Sequence, residues 1–119
     1  MTDSIQSFNV DLQSSSKIAA LNNAFRTTYQ GGILVLSAGI QALPEETQIG
    51  VLHAVRTFNV FTPDNDPHQE HDFGTIIYQG HRVFFKMDYY DLALKFHSEN
   101  PADPSLTQRV LTVMLADEY

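Results

Sequence analysis

Asp72-Phe73-Gly74-Thr75-Ile76-Ile77-Tyr78-Gln79-Gly80-His81-Arg82-Val83-Phe84-Phe85-Lys86-Met87-Asp88-Tyr89 is the stretch that decides the fold. Residues 72–78 and 82–89 are rich in Phe, Tyr and β-branched side chains, which suit a pleated, half-buried surface, and Gln79-Gly80-His81 separates them. This is the pattern of a β-hairpin. In the second arm Val83, Phe85, Met87 and Tyr89 alternate with Arg82, Phe84, Lys86 and Asp88, so the first set is expected to face the core. A two-residue turn, at Gln79-Gly80 or at Gly80-His81, puts even residues of the first arm beside odd residues of the second. Ile76 and Tyr78 then join the core. His71, Phe73 and Thr75 fall on the opposite face with Lys86, Asp88 and Tyr90, which predicts His71 close to Asp88 or Tyr90 across the ladder.

Upstream, Thr62-Pro63-Asp64-Asn65-Asp66-Pro67 combines two prolines with residues prone to side-chain turns and predicts a loop. Before it, Pro44 at N1, Glu45 and Glu46 at the positive end of the dipole, and a stripe of Ile49, Leu52 and Val55 predict a helix ending near Phe58. His53 beside that stripe reads as a partly buried structural residue. Ile33-Leu34-Val35-Leu36, between Gly31-Gly32 and Gly39, predicts a short strand buried on both faces. An earlier helix is expected from Ser16 as N-cap, through Ile18, Leu21, Phe25 and Thr28, to a stop at Gly31-Gly32. Residues 1–16, rich in Ser, Gln and Asp, are expected to form a flexible or loosely docked arm, and residues 17–119 one domain.

Downstream, residues 92–96 predict a further short strand and residues 99–104 a polar, proline-marked loop. Asp103-Pro104 as N-cap and N1, with Leu106, Val110, Val113 and Met114 widened by Leu111 and Leu115, predicts an amphipathic final helix. The expected fold is a single α+β domain of order α-β-α-β-β-(β)-α, its helices packed on one face of a small, mainly antiparallel sheet.

The chain of 119 residues carries seven Lys plus Arg against fourteen Asp plus Glu, a net charge of −7. That balance disfavours direct binding to nucleic acid or to anionic membranes and favours a basic or neutral protein partner. Without Cys there are no disulfides, thiolate metal sites or Cys nucleophiles. The N-terminal residues lack the basic and apolar regions of a signal peptide, and no apolar run approaches membrane-spanning length, so a cytoplasmic location is expected.

Chemistry concentrates in residues 64–74. Asp64, Asp66, His68, Glu70, His71 and Asp72 are the side-chain types that hard and borderline metal ions select. Their spacing matches neither the H-E-x-x-H helix nor the calcium loop with its Gly and terminal Glu. Turn capping by Asp64, Asn65 and Asp66, with His71 and Asp72 starting a strand, is the plainer reading. With Asp88 and Asp91 added, Asp66, His68, Glu70, His71 and Asp72 form the candidate functional cluster. His68, Glu70 and His71 are its candidate metal ligands. A nuclease-like use would also engage Lys86, although Phe84 stands where the usual acidic-x-Lys spacing needs a carboxylate. No G-x-S-x-G, phosphate-loop or dinucleotide motif is present.

Leu21-Asn22-Asn23-Ala24-Phe25-Arg26, the stretch from Asn65 to Gly74, Asp88-Tyr89-Tyr90-Asp91, Ala102-Asp103-Pro104 and the stretch from Arg109 to Tyr119 together resemble a family of small bacterial proteins known as domain of unknown function 3768. The resemblance covers most of residues 18–119. It implies a stand-alone bacterial domain of a kind carried on plasmids and other mobile elements, and it transfers no catalytic residue. Size, acidity and this context lead to the expectation of a non-enzymatic accessory protein that binds a protein partner, such as a nucleic-acid-binding enzyme. Inhibition of a host defence nuclease, in the anti-CRISPR or anti-restriction manner, is the role foreseen, with no cofactor and with homodimerisation left open. The alternative is a metal-dependent hydrolase or nuclease using a divalent ion at residues 64–72.

Overall fold

The computed structural model describes the backbone of residues 2–119 and the side chains from Ser14 onward. Helix α1 spans Thr2–Thr28. Ser16 therefore lies within a helix rather than capping one, and the docking of the expected arm falls, as far as residue 13, outside the described residues. Strand β1 (Ile33–Leu36) follows, then a single-turn helix α2 (Ala38–Gln41) and helix α3 (Glu45–Thr57). Strands β2 (Phe73–Tyr78), β3 (His81–Tyr90) and β4 (Gln108–Leu115) come next, and a 3-10 turn, Ala116–Glu118, follows β4. Among the described residues the sheet has four strands in the order β1-β4-β3-β2. β1 runs parallel to β4, and the other two pairings are antiparallel, so the fold is α+β with a mixed, mainly antiparallel sheet. No helix among the described residues is long and apolar enough to cross a membrane.

The hairpin forms in the register its sequence predicts. Tyr78 pairs with His81 across Gln79-Gly80, and both turn residues have positive φ, 50° and 81°, as a two-residue type I′ turn requires. Val83, Phe85, Met87 and Tyr89 are all buried and join Leu111 and Val113 of β4 beneath Phe25, Ile40, Val51 and Val55 of the helices. Ile76 and Tyr78 pack against this core. Gly74 lies opposite Phe85, whose ring occupies the space a Cβ would need.

Four expectations are corrected. The final segment is strand β4 at the centre of the sheet, not a helix. Arg109, Leu111 and Val113 are buried on the core face, but Val110 and Met114 place apolar side chains at even positions too, and such a run also satisfies a helical period. The mid-sheet position belongs to β4, so β1 is an edge strand whose Ile33 and Val35 remain exposed. Residues 92–96 form a turn closed by an isolated Tyr90–His97 bridge rather than a strand. In α3 the buried residues are Thr47, Val51 and Val55, and Ile49 and His53 face solvent.

Candidate functional site

The loop before β2 is built around Asp66, whose side chain is buried. Its backbone N–H donates to Thr62 O at 2.8 Å, and its Oδ1 accepts from the N–H groups of Glu70 at 3.1 Å and His71 at 3.0 Å. Asn65 accepts from Thr62 N–H and donates to Val60 O. Local turn chemistry thus accounts for Asn65 and Asp66, because their short side chains satisfy backbone groups that a loop leaves unpaired. Asp64 is exposed.

Gln69 and His71 both adopt positive φ, 58° and 55°. These two left-handed residues break the alternation that a strand would impose, and the ladder begins only where Met87 N–H donates to Asp72 O at 2.8 Å. His71 is therefore turned away from Asp88 and toward α1. The expected His71–Asp88 pair does not form: Asp88 pairs with Lys86 at 3.2 Å, and His71 meets Asn23, Asp66 and Phe61.

The His71 ring stacks on Phe61, with centroids 4.0 Å apart and planes 3° from parallel. Arg26 Nη2 donates to Asn23 Oδ1 at 3.0 Å, which fixes the Asn23 amide. That amide meets His71 Nδ1, with Nδ2 at 3.0 Å and Oδ1 at 3.1 Å, while His71 Nε2 lies 3.5 Å from Asp66 Oδ2. Both ring nitrogens are engaged. In this arrangement His71 ties the loop to α1 beside a cavity of about 540 Å³ lined in part by Asn23, Phe61, Asp66 and His71.

Beneath it lies a buried polar hub. Asn22 donates to Glu70 O at 2.9 Å and to the Tyr89 hydroxyl at 2.8 Å, and accepts from Arg109 Nε at 2.8 Å. Tyr89 in turn donates to Glu70 Oε1 at 2.9 Å, and Arg109 donates to Pro101 O. Burial raises the Tyr89 phenol well above its usual range, with Glu70 adding to the shift, so it remains a neutral donor. A second buried cation, Arg26, donates to the carbonyls of Val55, Arg56 and Phe58 at the end of α3, where the helix dipole is negative. Asn22 and Arg26 escape pattern reading because they are polar residues at core positions. The available signal was their spacing with Phe25 and Tyr29, which puts all four on one helical face.

The seven candidate residues thus divide among several places. Glu70 and His71 join α1, and Asp66 braces them from within the loop. Asp72 and Asp88 line a small cavity with His97, and burial followed by the neighbouring Glu70 raises the Asp72 carboxyl above its ordinary value. Asp91 lies beyond β3, where its Oδ1 accepts from Lys95 N–H, and His68 is exposed. The candidate ligands His68, Glu70 and His71 do not converge: among the described residues no group of three or more His, Asp or Glu side chains is placed to hold a metal ion.

Residues 36–118 match the family described as protein of unknown function (DUF3768). The chain belongs to that family. The match takes in the loop, the hairpin and β4, whereas Asn22, Asn23 and Arg26 of α1 lie outside it. No curated protein and no solved structure matches the chain.

Proposed function

We propose that this DUF3768 chain is a small accessory protein that binds a macromolecular partner. The observation that carries the reading is a rigid loop that holds large apolar side chains in water. Between β3 and the Tyr90–His97 bridge, Leu92, Leu94 and Phe96 are 64%, 50% and 72% exposed. The loop that displays them is tightly bonded: Asp91 N–H donates to Phe96 O at 2.7 Å, Leu94 N–H donates to Asp91 O at 3.0 Å, and Asp91 Oδ1 caps Lys95 N–H. Leu94 also holds φ at 61°, a strained conformation for a residue with a branched side chain. An apolar group held this way has already lost the conformational freedom that binding would otherwise remove.

The net charge of −7 favours a partner with a basic surface. A nucleic-acid-handling enzyme has such a surface. Inhibition of a host defence nuclease, of the anti-CRISPR or anti-restriction kind, is the role that acidity and small size support. The test is an affinity pull-down from the native host with the wild type and with a Leu94→Ser/Phe96→Ser variant. A protein retained by the first and lost from the second is expected, and its association should slow as salt rises. Equal recovery by both removes the loop from the reading. The opposing reading, a divalent-metal hydrolase centred on residues 64–72, is tested by calorimetric titration of Zn²⁺, Mn²⁺ and Mg²⁺. Stoichiometric binding that His71→Ala abolishes would reverse the order of the two.

A further inference from the structure

Beside the exposed loop, Asp91, Leu92, Phe96, His97, Glu99 and Leu106 enclose an open slot of about 470 Å³. Its lining combines two chemistries. Leu92, Phe96 and Leu106 supply apolar surface, whereas Asp91 and Glu99 place carboxylates at the lining with no Lys or Arg among them. Across residues 90–106 the chain carries Asp91, Glu99 and Asp103 against Lys95 alone. The Asp103 carboxyl is held below its ordinary range by hydrogen bonds from the Ser105 hydroxyl and N–H, so it remains charged at neutral pH.

The segment after the loop is as firmly built as the loop itself. Ser98 and Thr107 are buried and bond each other through their hydroxyls at 2.7 Å, Thr107 Oγ1 also reaches Asn100 O at 2.9 Å, and Asn100 N–H donates to Ser98 Oγ at 3.2 Å. Asn100 Oδ1 accepts from Ala102 N–H at 3.1 Å. Leu106 therefore lines the slot together with Phe96 from a braced segment. A slot with a braced lining that is part apolar and part acidic is complementary to a segment that offers an apolar anchor between cations.

Resting on the binding reading above, we infer that this slot is the docking site for a basic amphipathic segment of the partner protein. A Leu-, Met- or Phe-sized side chain enters beside Phe96 and Leu106, and flanking Lys or Arg residues meet Asp91 and Glu99. Burying such an anchor accounts for most of the affinity, and the charges set the orientation and the encounter rate.

The experiment uses the full, ¹⁵N-labelled chain and three synthetic twelve-residue helical peptides. One has a Leu face and a Lys face, the second carries Glu for every Lys, and the third Ser for every Leu. The Lys/Leu peptide is expected to shift amide resonances within residues 90–108, to lose about tenfold in affinity against Phe96→Ser, and to lose severalfold at low salt against Glu99→Gln. Both positions are exposed, and unchanged thermal unfolding of the two variants confirms intact folding. Shifts scattered over the acidic surface, equal binding of the Glu or Ser peptide, or affinity indifferent to Phe96→Ser would overturn the inference. A photo-crosslinker placed at position 96 separates it from the broader reading. A native partner captured there through a neutral or acidic segment rejects the basic occupant and leaves the binding module standing, whereas capture of nothing rejects both.

Discussion

Replacing Asn22 by Leu should remove the single side chain that joins α1, the loop before β2, β3 and β4. Asn22 is fully buried, and both its amide protons and its oxygen are used: toward Glu70 O, the Tyr89 hydroxyl and Arg109 Nε. Leu is close to Asn in size, so the change tests polar connection rather than packed volume. The Tyr89 hydroxyl keeps Glu70 Oε1 as its acceptor and loses comparatively little. The Glu70 carbonyl and the Arg109 Nε–H, by contrast, are left buried without partners. A lost neutral hydrogen bond costs about 1 kcal/mol and a buried charged donor left orphaned about 2–3 kcal/mol, so the variant should lose about 3–5 kcal/mol. That is a large fraction of the roughly 5–15 kcal/mol that stabilises a domain of this size. Urea unfolding at neutral pH, extrapolated linearly and compared with the wild type at equal slope, measures it. Ile49→Ser, on the solvent face of α3, serves as a control and should lose under about 0.5 kcal/mol. A loss below about 1 kcal/mol for Asn22→Leu would show that the hub does not bind these elements together.

Val113→Lys should unfold the domain, because β4 directs Val113 into the core, whereas Val110→Lys should cost under about 1 kcal/mol, since Val110 lies opposite Asp88 on the other face. Thermal unfolding of the pair separates a strand from a helix, in which positions three apart would share one face. Gly74→Ala should cost about 2–3 kcal/mol by forcing the buried Phe85 ring aside, a loss that urea unfolding reads directly. Asp72→Asn should raise the melting temperature at pH 7. Its carboxyl binds protons more readily folded than unfolded, so ionisation penalises the fold fully above the raised value, and the gain should fade as pH falls toward the unfolded value of about 3.9. Glu118 behaves oppositely: the Ser37 hydroxyl and the N–H groups of Leu115 and Gly39 lower its value. Its contribution is complete above the unfolded value and is lost as pH drops through the lowered one, so Glu118→Gln should be destabilising at pH 7 and neutral in strong acid.

The hairpin was legible because one face is covered by helices and the other is not, which leaves a period of two in the sequence. β4 was not, since Val110 and Met114 put apolar side chains on its second face as well, and Val110, Val113 and Met114 fall at helical spacing. The same ambiguity moved the mid-sheet position onto Ile33–Leu36. Composition alone drew attention to Asp66, Glu70 and His71, but extending the hairpin register to His71 assumed that β2 continued past Phe73. The left-handed backbone at Gln69 and His71 has no marker such as Gly, and it reverses which way the ring points. Asn22 and Arg109 were hidden for a different reason: each is polar and buried, and its partners are distant in sequence, by 48 and 67 residues for Glu70 and Tyr89.

The parallel pairing of β1 with β4 has a consequence for how the molecule comes into being. Ile33 sits beside Val110, and the strand that separates β1 from β3 is the last of the four in the chain. During synthesis the β2–β3 hairpin can close at once, but β1 must wait, unpaired, while some seventy further residues are added. Closing a loop of that length before any contact repays it makes this the slow step of folding. Until then the edge of β3 that pairs with β4 stays open. Nascent chains halted before residue 108 should therefore be held by chaperones, and the hand-over to the native state should coincide with the emergence of residues 108–115.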